Sequence, residues 1–333
     1  ISRVSARMIV FSNILALLIV LGALAAATAL AGVWIARAHP PKGRFIAVDG
    51  GKLHIDELGN RPGDETAVVL VHGASGNMED MRIALGDALG GRYRIILIDR
   101  PGRGWSERIA DREAASPQRQ ADLVAQALGQ LGVKRAVMVG HSWGGALTAA
   151  FAIRYPQMTA GLVLLAPTSH PWQGGVSWYY DTAAFPWIGP VFTHTLVLPL
   201  GALLAPHATA SVFAPQSLPD DYLRRSSTFL VLRPKAFAAN ALDMTELKGN
   251  LEKLVPLYPS IQAPTVVMVG DRDLAVSNDV HAFPLAKAIP NARLEVLSGV
   301  GHVPHHARPD RVVAAIEEVL RGSDVKTSEK SKI

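Results

Sequence analysis

VMVGHSWGG, at residues 137–145, joins an apolar β-branched run to the pattern Gly-X-Ser-X-Gly, which has Ser142 at its centre. Residues 146–154 follow with the composition of a helix. This order of strand, tight turn and helix is the context in which a nucleophilic serine stands on a sharp turn. Gly140 and Gly144 flank Ser142 because such a turn leaves no room for side chains. We therefore predict that the turn lifts the Ser142 hydroxyl above a sheet edge, where the following helix favours developing negative charge.

Short apolar segments alternate with helical ones on both sides of this turn. The alternation predicts an α/β fold with a doubly wound, mostly parallel sheet. Predicted strands cover residues 45–48, 52–58, 67–71, 93–98, 136–139, 162–165, 265–269 and 294–297, and predicted helices cover 78–89, 121–131, 278–288 and 309–320.

The alternation stops near residue 170, and residues 171–256 are irregular and rich in aromatic residues and proline. We interpret 171–256 as a helical cap, or lid, inserted into one sheet. The core of the sheet would then be built from two parts, residues 38–170 and 257–322. The tail at 323–333 is polar and charged, which predicts disorder.

Composition excludes several classes of protein. The 333 residues are 49% hydrophobic and 18% charged, and the net charge of +5 is spread without a basic block beside aromatic residues. Nucleic-acid binding is therefore not expected. The chain has no cysteine, which excludes thiol catalysis, disulfides and cysteine–zinc sites.

Residues 1–37 contain an uncharged run from Met8 to Ala36 that is long enough to cross a bilayer. One interpretation is a membrane anchor, and the other is a cleaved secretory signal, for which Ala29-Leu30-Ala31 resembles a cleavage site. We favour the anchor because the run is longer than an ordinary signal core. Both interpretations place the remaining chain outside the cytoplasm, either held at the membrane or secreted.

A second uncharged stretch lies inside the predicted cap, at residues 185–205. Its three prolines, at 186, 190 and 199, argue against a regular transmembrane helix. Cap helices that cover an apolar pocket or touch a membrane surface fit this composition better.

Two later loops supply an acid and a base in the order that a serine nucleophile needs. VGDRD, at residues 269–273, ends one predicted strand and offers Asp271 or Asp273. SGVGH, at 298–302, follows the next strand and ends in His302. Because ligand-facing loops gather at the carboxyl ends of parallel strands, His302 is expected to act as the general base, oriented by an acidic residue.

The chain resembles the α/β-hydrolase fold family, in its form with an inserted cap, over residues 45–321. Four motifs carry the resemblance: His72-Gly73, the loop at residues 99–106 (DRPGRGWS), the turn at Ser142, and Gly301-His302 followed by Pro304. The resemblance implies that the acid is Asp273 rather than Asp271. It also implies an oxyanion hole made by the backbone amides of Ala74 and Trp143.

Other polar residues near these motifs receive structural interpretations. His72 is expected to brace its loop, His141 to pack, and Asp99 to hold a turn. His305 and His306 follow the proposed base, but without a spaced carboxylate or cysteine set they predict no metal site. No cofactor is expected either.

Ser142, Asp273 and His302 together predict a serine hydrolase that forms an acyl-enzyme on a small apolar ester or lipid-like substrate. Relatives with the same fold leave two alternatives, a carbon–carbon bond hydrolase of the meta-cleavage type and a cofactor-free haloperoxidase-like esterase. The first usually has Gly-Pro-Gly after His-Gly, where this chain has residues 74–77 (ASGN). An alternative of another class is a non-catalytic, membrane-anchored binding or accessory protein. The oligomeric state stays open.

Overall fold

The computed structural model describes residues 3–59, 66–109 and 112–330. Its centre is one eight-stranded sheet with the strand order β1-β2-β4-β3-β5-β6-β7-β8. The pairs β1–β2 and β2–β4 are antiparallel, and the remaining neighbours are parallel. The strands are β1 (Arg44–Val48), β2 (Gly51–Leu58), β3 (Thr66–Val71), β4 (Ile95–Ile98), β5 (Arg135–His141), β6 (Thr159–Leu165), β7 (Thr265–Gly270) and β8 (Ala292–Leu297).

Helices cover both faces of the sheet, which makes the central strands apolar on both sides. One buried cluster packs β-branched side chains of the sheet under α3, α4 and α10, and a second packs the other face under α2 and α12. The helices are α1 (Arg3–Ala38), α2 (Met78–Gly90), α3 (Pro117–Gln130), α4 (Trp143–Arg154), α5 (Trp178–Ala184), α6 (Gly189–Thr195), α7 (Val197–Phe213), α8 (Tyr222–Arg225), α9 (Pro234–Leu254), α10 (Ala282–Ala288), α11 (Pro304–Ala307) and α12 (Pro309–Lys330).

Two core helices begin where local sequence signals predict. The side chain of Asn77 accepts the N–H of Glu79 and caps α2. Ser116 accepts the N–H of Arg119 at the start of α3, where Pro117 occupies the first turn. These caps satisfy amides that a helix start leaves without an intrahelical acceptor.

Five helices, α5 to α9, lie between β6 and β7, where the sequence predicts a helical cap without giving the bounds of its helices. α9 is 21 residues long and begins at Pro234. The aromatic and proline-rich composition hides this regularity. Pro190 and Pro234 stand in the first turns of their helices, where a missing N–H costs little, whereas Pro206 lies inside α7. α6 and α7 meet at a bend of 67°.

The two ends of the chain are also helical. α1 is long and apolar enough to cross a membrane between Arg7 and Ala38. α12 continues to Lys330, ten residues past its predicted end at Leu320, so the charged segment predicted to be disordered is helical that far. Residues 331–333 of that predicted tail lie outside the described part of the chain.

Candidate active site

Ser142 occupies the turn between β5 and α4 with φ 52° and ψ −117°. Residues other than glycine rarely adopt this conformation. A Cβ atom added at Gly144 would lie 2.6 Å from the carbonyl oxygen of Val71 at the end of β3. A Cβ at Gly140 would come equally close to the carbonyl of Gly144. Gly144 therefore lets the turn pack tightly against β3, and Gly140 lets α4 pack tightly against β5.

His302 and Asp273 come from the loops after β8 and β7 and meet above the same sheet edge. Nδ1 of His302 lies 2.8 Å from Oδ2 of Asp273, whose side chain is fully buried. Oδ1 of Asp273 accepts the backbone N–H groups of Ala275 and Val276. Because the carboxylate holds the Nδ1–H of His302, Nε2 keeps its lone pair for a proton from elsewhere.

Asp271, the other acid considered in this loop, makes different contacts. Its Oδ1 accepts the backbone N–H of Gly299 at 2.7 Å, and its Oδ2 lies 3.4 Å from the hydroxyl of Ser298. Asp271 therefore ties the β7 loop to the β8 loop, while Asp273 contacts the imidazole.

The structure places His302 beside the Ser142 turn without a hydrogen bond between the two side chains in the described part of the chain. The two loops are instead joined by His141, whose Nε2–H donates to the carbonyl oxygen of His302 at 2.9 Å. The imidazole centroids of these two histidines are 4.8 Å apart. Contacts between a nucleophile and its base are often loose without substrate, so the absence of this hydrogen bond does not contradict the predicted roles.

The loop after β3 runs directly alongside the Ser142 turn. A Cβ atom at Gly73 would lie 3.1 Å from the Cβ of Ser142. Among the described residues, none accepts a hydrogen bond from the amide of Ala74. Trp143 is the first residue of α4, so its amide has no intrahelical acceptor. Both amides are therefore without a protein acceptor among the described residues, as the predicted oxyanion hole requires.

His72 braces this loop from inside. Its Nδ1–H donates to the carbonyl of Gly73, and its Nε2 accepts the backbone N–H of Arg100. Burial, followed by the charge of Arg100, lowers the pKa of His72 to about 3. His72 is therefore neutral, in one fixed tautomer, and both of its ring nitrogens are used.

Asp99 also has a structural role. Its carboxylate accepts the Nδ1–H of His54 and the backbone N–H groups of Met78 and Trp105. The side chain of Asp99 leaves no space for a Cβ at Gly104, which has φ 48°. The charged loop at residues 99–106 is thus folded around one buried carboxylate.

With this geometry in place, comparison with known proteins gives the family. The protein-family model described as "alpha/beta hydrolase fold" matches residues 66–309 of the sequence. The chain belongs to this family. The resemblance inferred from the four sequence motifs is thereby confirmed at the level of the family and its fold, and the chain is a hydrolase.

Three known proteins are similar to this α/β hydrolase. A 2-hydroxy-6-oxononadienedioate/2-hydroxy-6-oxononatrienedioate hydrolase of a Pseudomonas species is 30% identical over 76% of this chain and 86% of its own. The enol-lactonase of Burkholderia xenovorans LB400 has a TM-score of 0.67 at 22% identity, covering 84% of this chain and all of its own. An N-acyl homoserine lactone degrading enzyme has a TM-score of 0.60 at 26% identity, covering 84% of this chain and 99% of its own.

Two contacts from the inserted helices reach the loop after β3 in this α/β hydrolase. Asn240 of α9 accepts the backbone N–H of Ser75 and donates to its hydroxyl. The hydroxyl of Tyr180 in α5 lies 3.2 Å from the same Ser75 hydroxyl. The inserted segment therefore helps to position the residue next to Ala74. Sequence reasoning missed this contact because Ser75 and Asn240 are 165 positions apart.

A buried ion cluster joins the same inserted helix to the core. Oδ2 of Asp243 accepts from Arg100 at 2.8 Å and from Arg103 at 2.7 Å, and all three side chains are completely buried. The guanidinium of Arg100 also lies 3.9 Å from the centroid of the Trp143 ring, whose Nε1–H donates to the Asp243 carbonyl. Burial lowers the pKa of Arg103 to about 9, although the charge of Asp243 opposes the shift.

Gln216, which follows α7, holds the backbone of the His302 loop. Its Oε1 accepts the N–H of Gly301 at 2.9 Å, and its Nε2 donates to the carbonyl of Gly299 at 2.8 Å. The carbonyl of Ala214 occupies the space that a Cβ at Gly301 would need. A glutamine between prolines and small residues carries no sequence signal for this role.

His305 and His306 do have a carboxylate neighbour, which the sequence reasoning overlooked. Oδ1 of Asp80, in the first turn of α2, lies 2.7 Å from Nε2 of His306 and 2.5 Å from the hydroxyl of Tyr222. Oδ2 lies 3.2 Å from Nε2 of His305. Burial would raise the pKa of Asp80, but the two histidines outweigh it and hold this pKa well below the usual range. The carboxylate is thus satisfied by three donors.

Proposed function

We propose that the chain is a serine hydrolase that cleaves carboxylic esters of apolar substrates through an acyl-enzyme. The observation that carries the proposal is the contact between His302 and Asp273 beside the strained turn at Ser142. The positive φ of Ser142 lifts its hydroxyl out of the turn, and the imidazole stands over the same sheet edge. Strained backbone at such a position is characteristic of functional sites.

Each residue has one role in this mechanism. The Ser142 hydroxyl attacks the ester carbonyl while Nε2 of His302 takes its proton, and Asp273 stabilises the resulting imidazolium. The amides of Ala74 and Trp143 receive the oxyanion. His302 then returns the proton to the leaving alcohol. In the second step the same nitrogen takes a proton from a water molecule, whose oxygen attacks the acyl carbonyl, and then gives that proton to the Ser142 oxygen as its bond to the acyl group breaks and the acid leaves.

The Pseudomonas relative favours a second candidate, hydrolysis of a carbon–carbon bond. The substrate in its name is a dicarboxylate, which calls for cationic groups in the site. Here Arg100 and Arg103, the arginines packed behind the loop after β3, are buried and both donate to Asp243. Because these two guanidinium groups are fully buried and already donate to a carboxylate of the protein, they are not available to a carboxylate of a substrate, and we rank the ester first.

We also propose that α1 anchors this hydrolase in a membrane. The helix has no charged residue from Met8 to Ala36, and most of the side chains in this run are exposed in the folded chain. Exposed apolar helices of this length are stable in a bilayer rather than in water. We place the catalytic domain on the extracytoplasmic side, as expected when a signal-like helix precedes it. A membrane-impermeant maleimide should then label Leu257→Cys in intact cells.

The chemistry is tested with full-length protein in detergent and p-nitrophenyl esters from acetate to palmitate. A Ser142→Ala variant should lose on the order of 10⁶ in kcat. Ester turnover that survives in Ser142→Ala would contradict the proposed nucleophile. Turnover of a 2-hydroxy-6-oxo-dienoate in preference to every ester would favour the second candidate.

A fluorophosphonate probe separates catalysis from simple ligand binding. An activated Ser142 should be labelled in the wild type and not in Ser142→Ala. Absence of labelling in a folded wild-type protein would instead support a non-catalytic binding protein.

A further inference from the structure

Residues 182–219 contain no aspartate, glutamate, lysine or arginine, although 18% of the whole chain is charged. This stretch includes the end of α5 and all of α6 and α7. A soluble cap would be expected to place charges on its outer surface. The absence of charge therefore indicates that part of the outer surface of the cap is covered by something other than water.

The side chains that this segment exposes are large and apolar. Trp187 is 84% exposed and Leu203 is 76% exposed. On α7, Leu200, Leu203 and Leu204 recur at the spacing of one helix face, while Val197 and Leu198 are buried. The exposed set on α5 to α7 and their connections, which we call the apolar cap face, comprises Trp178, Phe185, Trp187, Ile188, Val191, Leu196, Leu200, Leu203 and Leu204. A contiguous surface with this many exposed large apolar side chains indicates an interaction site.

The apolar cap face is continuous with α1. Ile35 of α1 belongs to the same buried cluster as Val197 and Leu198 of α7, and α1 also packs along α6. Thr28 and Ile35, seven positions apart on one side of α1, are buried. In contrast, residues 8–20 of α1 are exposed all round. The carboxyl-terminal half of α1 is therefore attached to the cap, and the other half projects away from it.

Helix length determines where the cap lies relative to a bilayer. The uncharged run from Met8 to Ala36 is about 44 Å long at 1.5 Å per residue, whereas a hydrocarbon core is about 30 Å thick and needs about 20 residues. A core that begins at Met8 ends close to Thr28, which already contacts the protein. The helices packed against the following turns of α1 must then lie in the interfacial layer.

Basic residues follow at the level where α1 ends. Lys42 and Arg225 line a cavity of about 380 Å³ together with Ala38 and His39. His39 also contacts the hydroxyl of Ser227, which links the end of α1 to the cap. Lys42 is paired with Glu79, so the rim carries charges of both signs, and a charged rim next to an apolar surface suits the lipid headgroup region.

We propose that the apolar cap face is inserted into the interfacial layer of the same bilayer that α1 spans. Continuity with a membrane helix selects lipid as its occupant. The inference rests on the proposed membrane anchor but is independent of the chemistry at Ser142. An ester dissolved in the bilayer would then meet the cap without crossing water.

The test uses the absence of cysteine from the chain, because each introduced cysteine is then the only thiol. Full-length Leu203→Cys and Leu204→Cys are labelled with an environment-sensitive fluorophore and reconstituted into phosphatidylcholine/phosphatidylglycerol vesicles. Phe11→Cys in α1 is the membrane control. Leu257→Cys, half-exposed in the turn Val255–Ser260, is the aqueous control.

Labels at 203 and 204 should show blue-shifted emission, quenching by doxyl-labelled lipids and protection from iodide, as the label at 11 does. The label at 257 should be quenched by iodide. If the labels at 203 and 204 behave like 257 while 11 is protected, the cap face is in water and the proposal is overturned. Protection from iodide without lipid quenching would mean that a second copy covers the face, which also overturns it. An unprotected label at 11 would remove the anchor on which the proposal rests.

Discussion

Asp273 divides its two carboxylate oxygens between His302 and its own loop. Oδ2 lies 2.8 Å from Nδ1 of the imidazole, and Oδ1 accepts the N–H groups of Ala275 and Val276. The acid is therefore fixed by its loop, and the ring orientation of His302 depends on that loop. This dependence gives the first prediction.

Asp273→Asn should lower kcat on ester substrates by about 10⁴, because an amide cannot stabilise an imidazolium and favours the wrong tautomer. Steady-state kinetics on the best p-nitrophenyl ester measures the loss. Asp271→Asn is the matched control, since among the described residues the Asp271 side chain contacts Gly299 and Ser298 rather than the imidazole. Its kcat should stay close to that of the wild type, and equal losses in both variants would contradict the assignment.

The fold was largely predictable because its signals are local. Buried strands such as β3 and β5 are short apolar runs, and Gly140 and Gly144 mark the turn by themselves. All eight predicted strands overlap strands of the structure, and their errors are confined to the ends. The helical character of the inserted segment was predicted, but the bounds of its helices were not, because its composition obscures the helical period.

The candidate site was predictable only where a motif carries it. Ser142, Asp273 and His302 stand in recognisable loops, whereas Asn240, Gln216 and Asp80 act through contacts between distant parts of the chain. No spacing rule relates such residues, since the packing of the inserted helices brings them into place.

The buried cluster around Asp243 should be a large source of stability. Asp243→Asn removes the charge that two buried guanidinium groups share, and we expect a loss of about 3–5 kcal/mol. Thermal unfolding of the full-length protein in detergent measures the effect. Asp122→Asn, which breaks the more exposed pair with Arg154, should cost no more than about 1 kcal/mol. Similar melting temperatures for both variants would refute the prediction.

Gln216 should act as a positioning residue for the His302 loop. Gln216→Ala removes both hydrogen bonds to the loop, so kcat should fall by about tenfold, the equivalent of one hydrogen bond of about 1.4 kcal/mol, with KM nearly unchanged. Gln216→Glu keeps the acceptor for Gly301 and should recover part of the loss. Gln130→Ala, far from the site, is the control. A rise in KM at constant kcat would instead indicate a contact with substrate.

His72 should make stability depend on pH. Its folded pKa of about 3 lies below the ordinary value of 6.5, so between these values the unfolded chain binds a proton that the folded chain excludes. The stabilisation is complete above pH 6.5 and is lost as the pH falls towards 3, by up to about 1.4 kcal/mol per pH unit. Melting temperatures at pH 7.5 and 5 measure the slope.

The comparison variant for this slope is His72→Asn, which can still donate to the carbonyl of Gly73 but does not titrate. It should melt lower than the wild type at pH 7.5 but lose less on acidification. His207→Asn, at an exposed position, should keep the wild-type slope. An unchanged slope in His72→Asn would show that other groups determine the acid sensitivity.

The residues of the candidate site lie on both sides of the inserted helices in the sequence, so the ribosome synthesises them at different times. Ala74 and Ser142 precede the inserted helices, whereas Asp273 and His302 follow them. At about 5–20 residues per second, the roughly 160 residues between Ser142 and His302 take about 8–32 s to translate. During that interval a nascent chain whose α1 enters the bilayer, as we propose, would carry the proposed nucleophile without its proposed base. Ribosome-bound chains should therefore be inert towards nearby lipids until the last strand and its loop have been made.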